Sequence, residues 1–476
     1  MNCSAPAAVE APSRGAGAAV VLASTYDLGR QPFALASAAA WLEAAGIDVQ
    51  LLDLAVSAPD EAALTRASLI GVHLPMHTAT RLAQPFFEKV RRVNANAHLA
   101  AFGLYAPLNA GWLAELGVGS IIGGEFEAPL VALARAVAAG EGAQIRMVGL
   151  EKQKFLVPAR NGLPALSRYA HLDMPDGTRR VVGFTEASRG CKHLCRHCPI
   201  VPVYHGRFFV IDAATVLADI RALVAAGAEH ISFGDPDFFN GVRHALRIVE
   251  ALHRAFPALT YDATIKIEHL LKHSAALPVL AETGCAFITS AAESFDDRAL
   301  AALAKDHSGA DIATAAGLCR TAGIAFSPTF VAFTPWTTLE NYRDMLEAIA
   351  ELDLIENVAP IQLAIRLLLP EGSLLLELPE VRALIGPFDR SLLCYPWRHA
   401  DPAVDRLAAE VMALVEADAE AKRSRTETFG RIAAHLAATG VGLRRMPRAD
   451  AAGRPPAMSE PWYCCAEPTA RQQSAY

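Results

Sequence analysis

Three closely spaced cysteines lie in the stretch Ser188-Arg189-Gly190-Cys191-Lys192-His193-Leu194-Cys195-Arg196-His197-Cys198. Its three cysteines follow an apolar, strand-like run at 181–184 and are spaced four and three residues apart. One loop of this spacing can bring three thiolates to one face of a cubane cluster. Three ligands leave one iron of a four-iron cluster open to a chelating molecule, whereas a structural zinc site normally takes a fourth protein ligand. The spacing also differs from the common ferredoxin runs.

The three-cysteine spacing, with a ring at His197 before the third cysteine, resembles the radical S-adenosylmethionine (SAM) superfamily. The resemblance implies a [4Fe-4S] cluster on Cys191, Cys195 and Cys198, whose open iron holds the amino and carboxylate groups of SAM. It also implies reductive cleavage of a sulfur–carbon bond, with an electron from a flavodoxin- or ferredoxin-type reductant. In most members the resulting radical is 5′-deoxyadenosyl, which abstracts hydrogen. From the thiol spacing alone, zinc or a purely structural cluster is the alternative.

Composition limits the class of protein. Among 476 residues, 53% are hydrophobic and 20% charged, which allows a large core and argues against global disorder. The formal net charge of −7 argues against nucleic-acid binding as the default. An odd total of nine cysteines, with neither a secretion signal nor a membrane-length apolar run, argues against a disulfide framework and membrane insertion. We therefore expect a cytoplasmic, oxygen-sensitive protein.

A βα alternation occupies the first part of the chain, after an Ala- and Pro-rich leader at 1–17 that we expect to be disordered. Short apolar runs predict five buried strands, at 18–23, 49–54, 69–73, 99–102 and 121–122. Predicted helices cover 34–45, 86–93 and the stretch up to 139. This alternation predicts a Rossmann-like, doubly wound parallel sheet over 18–150, with ligands at the carboxyl ends of its strands.

The layout of 18–150 resembles the cobalamin-binding domain that precedes the radical domain in many radical SAM enzymes. The lower-ligand histidine of that family, in an Asp-x-His-x-x-Gly loop after the first strand, is missing here. The loop reads Ser24-Thr25-Tyr26-Asp27-Leu28-Gly29, so imidazole coordination of cobalt from this loop is excluded. Cobalamin bound without a protein ligand and an empty relic domain both stay open. His73 and His77 follow the third strand and are site candidates, with local capping as the alternative.

A turn-rich linker at 151–180, predicted to form a hairpin over the next domain, leads into a second alternation. Six predicted strands, beginning at 181, 230, 263, 286, 325 and 361, each end in polar residues. They match the partial (β/α)6 TIM-type barrel of the superfamily, whose chemistry lies at the carboxyl ends of the strands. The radical SAM core is thus expected over 181–375, and a helical C-terminal region with a cysteine tail over 376–476.

Candidate SAM contacts come from the ends of these strands. The resemblance implies that His197 packs on the adenine and that Gly234 and Asp235 receive the amino group, with Asp237 as the alternative acid. Gly-Asp-Pro also suits an ordinary turn. Glu293 resembles a polar element that faces SAM, with a helix-capping turn as the alternative. Lys305, which follows Glu293 in the chain, is a further candidate for this site, and an exposed helix lysine is the alternative. Arg366, on the sixth predicted strand, could bind the SAM carboxylate. Cys285 and Cys319 read as small core residues.

The chain closes with Glu460-Pro461-Trp462-Tyr463-Cys464-Cys465-Ala466-Glu467-Pro468. This stretch resembles the tail of a radical SAM group that ends in Cys-Cys-Ala-Glu-Pro, some of whose members carry selenocysteine at the second cysteine. The resemblance implies a reactive thiolate at Cys464 or Cys465, as nucleophile or ligand. An exposed tail with spare thiols is the alternative.

The sequence therefore predicts a radical SAM enzyme that acts on an unidentified small-molecule or peptide substrate. The alternatives are a cobalamin-dependent radical SAM methyltransferase and a non-catalytic iron–sulfur sensor of redox state or metal.

Overall fold

The computed structural model describes residues 20–141, 144–445 and 453–460. Within them, two sheets carry the fold: a six-stranded parallel sheet, and a seven-stranded sheet that is parallel over five of its strands. The predicted leader at 1–17 and Cys464-Cys465 lie outside these residues. None of the helices in the described ranges is both long and apolar enough to cross a membrane.

The first sheet has the strand order β2-β1-β3-β4-β5-β6. Its strands are β1 (Val20–Ser24), β2 (Val49–Asp53), β3 (Leu69–His73), β4 (His98–Phe102), β5 (Ser120–Gly124) and β6 (Arg146–Gly149). Alternate side chains face opposite layers of helix: Val20 and Leu22 belong to one buried cluster, Val21 and Ala23 to the other. The apolar run at 20–23 therefore fits a sheet that is covered on both faces.

Five helices cover the first sheet: α1 (Phe33–Ala44), α2 (Glu61–Arg66), α3 (His77–Val93), α4 (Ala110–Glu115) and α5 (Glu127–Ala138). Leu35 and Leu130 pack on one face, and Leu64, Phe87 and Leu113 on the other. The predicted doubly wound sheet is confirmed. Helix α3 is longer than predicted because it continues through Pro85 rather than starting after it.

The second sheet has the order β14-β13-β12-β11-β8-β7-β15. Its strands are β7 (His171–Asp173), β8 (Arg179–Thr185), β11 (His230–Phe233), β12 (Thr260–Thr264), β13 (Cys285–Glu293), β14 (Ala325–Phe330) and β15 (Ala457–Met458). Strands β7 and β8 form the predicted antiparallel hairpin. A separate antiparallel pair, β9 (Ser188–Gly190) with β10 (Phe208–Val210), follows β8 and encloses the cysteine loop.

The remaining helices pack outside the barrel strands or follow them. They are α6 (Val201–Tyr204), α7 (Ala213–Ala225), α8 (Val242–Ala255), α9 (Ile267–Lys272), α10 (Leu277–Glu282), α11 (Asp297–Ala302), α12 (Gly309–Ala322), α13 (Leu339–Glu351), α14 (Pro379–Arg382), α15 (Pro402–Glu420) and α16 (Arg425–Ala437). Val411 of α15 and Ile432 of α16 are fully buried in the same cluster as the barrel core. The C-terminal helices thus complete the hydrophobic core of the barrel.

The sixth predicted strand is reduced to one parallel bridge, between Phe333 and Arg366. The preceding apolar residues form a 3-10 helix, Pro360–Leu363. At the end of β14, the backbone N–H of Phe330 donates 3.0 Å to the side-chain Oε1 of Gln362 rather than to a strand partner. The half-barrel fold is confirmed, with its last unit present as a bridge instead of a ladder.

Candidate active site

A cavity of about 350 Å³ lies where the carboxyl ends of both sheets meet. The first sheet lines it with His73 and Gly124, and the barrel strands line it with Gly234, Thr264 and Thr289. A single small-molecule pocket usually spans about 300–1,000 Å³. The cavity therefore has the size of a small-molecule site, and residues of both sheets line it.

The cysteine loop is held by its two ends. Strand β9 leads into the loop and β10 leads out, so the pair closes residues 191–207 into one excursion. Gly190 has a φ of +74°, and a Cβ there would lie 2.4 Å from the backbone oxygen of Arg207. Glycine is required at this turn both for its backbone conformation and for the close approach of the exit strand.

All three predicted cluster ligands, Cys191, Cys195 and Cys198, line the cavity and form no disulfide among the described residues. The ammonium Nζ of Lys266 lies 3.6 Å from Cys195 Sγ. Burial raises the pKa of the Cys191 thiol, so an unligated thiolate there is disfavoured. Three thiols beside an ammonium on one wall fit an anionic iron–sulfur cluster with one open iron.

His197, Glu293 and Lys305 form a buried group at the same wall. The His197 Nε2 atom lies 3.0 Å from Glu293 Oε1, and Lys305 Nζ donates to the same oxygen at 3.1 Å. Burial opposes ionisation of Glu293, yet Lys305 and His197 hold the pKa of its carboxyl well below the ordinary value. The structure therefore brings together His197 and Glu293, predicted from separate motifs, and buries Lys305 with them.

Gly234 and Asp235 have different surroundings. Gly234 lines the cavity, and a Cβ there would lie 2.2 Å from the ring of Phe184. The Asp235 carboxylate instead accepts from Ser188 Oγ at 2.5 Å and from the Ala187 N–H at 2.9 Å. Each oxygen thus accepts a hydrogen bond from the segment that begins β9, which supports an anchoring role for Asp235. Its contact with the amino group of SAM stays a prediction.

Arg366 points away from the cavity. Its guanidinium donates to Asp405 Oδ1 at 2.7 Å and to the Trp397 carbonyl at 2.6 Å, and it lies 3.7 Å from the centroid of the Trp397 ring. These contacts join the end of the barrel to α15. A contact between Arg366 and the SAM carboxylate therefore finds no support in this geometry.

Sequence reasoning assigned no role to Arg189, which joins the two sheets. Its guanidinium donates to Glu127 at 2.6 Å and to Glu186 at 2.7 Å, with Glu125 at 3.4 Å. It also lies 4.9 Å from the centroid of the Phe126 ring. Burial raises the pKa of Glu125 to about 7; Arg189 opposes this shift and neighbouring Glu127 adds to it.

Lys266 was also missed as part of the site, whereas Asp237 was predicted as the alternative acid to Asp235. Lys266 follows β12, and its Nζ lies 3.6 Å from Cys195 Sγ. Asp237 follows β11, and its Oδ2 lies 3.3 Å from His193 Nε2. The signal that could have found Lys266 is a charged residue directly after a buried parallel strand.

His73 lines the edge of the cavity that belongs to the first sheet, as predicted for a site candidate. Burial, with a smaller effect from Arg189, lowers the pKa of His73 to about 3, so its imidazole is neutral. Its Nδ1 atom is buried without a hydrogen-bond partner. His77 is the first residue of α3 and is also buried.

Cys285 and Cys319 lie in the barrel core, as predicted.

The described residues 453–460 precede the cysteine tail. Met458 and Ala457 of β15 pair with β7, and the Tyr26 hydroxyl donates to Glu460 Oε1 at 2.6 Å. Glu460 lines a hollow together with Leu28 and Arg30, which also line the main cavity. Glu460, the described residue that directly precedes the tail, therefore lies next to the cavity.

Two solved proteins share this architecture. TsrM from Kitasatospora setae, a radical SAM methyltransferase solved with cobalamin and a [4Fe-4S] cluster, is 18% identical, with a TM-score of 0.55 over 71% of this chain and 70% of that chain. OxsB, a cobalamin-dependent SAM radical enzyme solved with aqua-cobalamin and SAM, is 14% identical, with a TM-score of 0.64 over 85% of this chain and 67% of that chain. No protein-family model matches the sequence, and no curated protein does. The chain therefore has the fold of the cobalamin-dependent radical SAM enzymes TsrM and OxsB.

Proposed function

We propose that the chain is a radical SAM enzyme. The observation that carries this proposal is the position of Cys191, Cys195 and Cys198 on one wall of a cavity at the carboxyl ends of the barrel strands. The fold shared with TsrM and OxsB supports it. A [4Fe-4S] cluster held by these three thiolates would supply, when bound, the electron that cleaves a sulfur–carbon bond of SAM.

The chain's own residues then have separable tasks. Lys266 and Lys305 offset the negative charge of the thiolates. Lys266 Nζ lies 3.6 Å from Cys195 Sγ, and the pKa of Lys305 is raised because Glu293 and, after it, Cys195 outweigh the effect of burial. Glu293 is ionised and buried, which suits it to accept hydrogen bonds from SAM. Gly234 leaves backbone accessible where the amino group of SAM is expected. His197, held by Glu293, can present its ring face to the adenine.

Cobalamin is the second ligand that we infer. The cavity continues from the cysteine loop to the carboxyl edge of the first sheet, where Gly103, Gly124 and the neutral His73 lie. TsrM and OxsB were solved with cobalamin bound, which supports the same use of this edge. Methyl transfer is then the alternative reaction, and it requires that purified protein retain cobalamin. A chain that takes up none when supplied with hydroxocobalamin would argue against it.

The cysteine tail is proposed to work at the same cavity. Cys464 follows Glu460 by four residues, and an extended chain spans about 3.3–3.6 Å per residue, so Cys464 can reach about 14 Å from Glu460. A thiolate from Cys464 or Cys465 could therefore act on the substrate as nucleophile or ligand. The substrate, a small molecule or a peptide, is not identified, and the electron donor is proposed to be a flavodoxin- or ferredoxin-type protein.

Anaerobic reconstitution with iron and sulfide tests the proposal. We expect the wild type to hold a four-iron cluster and to convert SAM to 5′-deoxyadenosine under reducing conditions. Cys198→Ala should lose both properties, because two thiolates cannot hold the cluster. Cys319→Ala is the matched control, since this thiol lies in the core. Retained SAM cleavage in Cys198→Ala would contradict the assignment.

A further inference from the structure

Four polar side chains meet beside Lys266. His193 belongs to the cysteine loop, Asp237 follows β11, and Glu268 and His269 lie on α9 after β12. One ligand atom each of His193, Glu268 and His269 lies within 4.8 Å of the others. Asp237 Oδ2 lies 2.6 Å from His269 Nδ1 and 3.3 Å from His193 Nε2. Three successive segments of the barrel therefore converge here.

Each of the four side chains presents one buried atom that lacks a hydrogen-bond partner. The atoms are His193 Nε2, Asp237 Oδ2, Glu268 Oε2 and His269 Nδ1. The close approaches among them are misdirected for hydrogen bonds. Buried polar atoms are nearly always paired, and an ion is one of the recognised reasons for an exception.

The remaining carboxylate oxygens are already committed, which directs these atoms inward. Asp237 is fully buried, and its Oδ1 accepts from the Phe239 N–H at 3.2 Å. The Oε1 atom of Glu268 lies 3.0 Å from Lys266 Nζ and 2.6 Å from His193 Nδ1. Each carboxylate thus keeps one oxygen for another partner.

We propose that these four residues form a second metal site, which binds a divalent transition-metal ion such as Zn²⁺. Two imidazoles with carboxylates form a donor set that suits zinc or ferrous iron rather than calcium or magnesium. Because His193 stands between Cys191 and Cys195, the ion would tie the cysteine loop to the ends of β11 and β12. Its four ligands differ from the three cluster thiols, and zinc binding does not depend on SAM cleavage.

The competing explanation is an ion-pair network without a metal. Asp237 and Glu268 would then pair directly with His193 and His269. Geometry favours a metal, because His193 Nε2, Asp237 Oδ2 and His269 Nδ1 are buried without the hydrogen bonds that such a network would supply.

Zinc content measured on the cluster-loaded protein tests the site. The experiment uses a Cys464→Ser/Cys465→Ser background, so that tail thiols cannot bind the probe, and iron and zinc are counted together after Zn²⁺ equilibration and desalting. We expect one zinc per chain beside the cluster iron. His269→Ala and Glu268→Gln should each lower zinc affinity by at least the roughly 10–100-fold that loss of an outer-shell partner costs.

His435→Ala is the matched control, because this exposed histidine pairs with Glu410 on the surface at 2.9 Å. It should keep the zinc. Far-UV circular dichroism checks the fold of each variant, and Glu268→Gln preserves side-chain volume. Cluster-loaded background protein that holds no zinc, or zinc binding that both His269→Ala and Glu268→Gln leave unchanged, would overturn the proposal.

Discussion

At the scale of single residues, Arg189 links the cysteine loop to the first sheet. Its buried guanidinium contacts Glu125, Glu127 and Glu186, of which the first two belong to the first sheet's side of the cavity. Removing one partner of a buried ion pair typically costs about 3–5 kcal/mol, because the other charge stays buried. Arg189 is therefore both an electrostatic partner and a positioning residue for the cluster.

Replacing Arg189→Met should lower the thermal unfolding temperature and the iron content after reconstitution. Arg390→Met is the matched control, since Arg390 also pairs across to the first sheet, with Glu115, but on the exposed surface. Exposed pairs contribute about 0–1 kcal/mol. Equal effects of the two substitutions would show that Arg189 does not lock the sheets together.

Glu125 predicts a pH dependence of stability. The folded pKa is raised to about 7 from an ordinary value of 4.5, so the folded state binds more protons than the unfolded state between these values. The contribution of this carboxyl to stability is fully present below the unfolded pKa and is lost as the pH rises toward the folded pKa. Glu125→Gln should therefore gain in unfolding temperature, relative to wild type, from pH 5 to pH 7.5. A difference that does not vary with pH would contradict the prediction.

Glu293→Gln tests the buried group of His197, Glu293 and Lys305. Loss of the negative charge removes the ionic partner of Lys305 and a strong acceptor for SAM, and hydrogen bonds to charged groups contribute about 1.5–3 kcal/mol. We expect SAM affinity, measured by equilibrium binding to the reconstituted protein, to fall about tenfold or more. Glu340→Gln, at an exposed position on α13, should bind SAM as the wild type does. Undiminished affinity in Glu293→Gln would remove Glu293 from the proposed SAM site.

At the scale of elements, the β9–β10 pair decides whether the cysteine loop can form. Gly190→Ala would place a Cβ against Arg207 and add strain at a left-handed backbone position, at a cost of about 1–3 kcal/mol. Gly177→Ala is the control, because Gly177 has a similar φ of +81° with nothing within 4 Å of its Cβ position. We expect Gly190→Ala to reduce cluster content more than Gly177→Ala. Equal cluster content in the two variants would show that the close approach at Arg207 is unimportant.

Elements with strong local signals were predictable from the sequence. Buried apolar strands such as β1 and β3, and helices ended by glycine such as α1, were found because periodicity and stop signals are local. Strand β6 was missed because three of its four residues are exposed and its pairing with β5 depends on the whole sheet. The run at 361–368 was predicted as a strand because a short apolar run does not distinguish a strand from other buried backbone.

The same distinction holds for the candidate site. Cys191, Cys195, Cys198 and His197 stand in one contiguous motif, so their grouping could be predicted. Arg366 was predicted from its strand position and Asp235 from the family resemblance, and the structure shows their side chains in contact with Asp405 and Ser188. Which way a side chain at a strand end points is set by tertiary neighbours that the local sequence does not specify.

At the scale of the whole molecule, the two sheets turn their carboxyl edges toward one cavity. This arrangement lets a ligand of the first sheet meet one held by the barrel, as the cobalamin proposal requires. The linker reinforces it: Arg160 donates to Asp219 at 2.9 and 2.7 Å and to the Phe184 carbonyl at 2.7 Å. The predicted domain boundaries at 150, 180 and 375 stay predictions.

The tail belongs to this scale because Glu460, which precedes it in the chain, lies beside residues that line the cavity. Cys464→Ser/Cys465→Ser should leave the cluster and uncoupled SAM cleavage intact, since three other thiols hold the cluster. Iron content and 5′-deoxyadenosine formation measure this. Once a substrate is known, its turnover should be blocked in the same variant. Loss of the main cluster in the variant would instead make the tail a cluster ligand.

Electron paramagnetic resonance of the reduced, reconstituted protein, with and without SAM, tests whether the cluster has one open iron that binds SAM. We expect a reduced four-iron signal whose g values shift when SAM is added, because SAM reaches the iron that Cys191, Cys195 and Cys198 leave open. Absence of a cluster signal, or a signal that SAM leaves unchanged, would contradict this expectation.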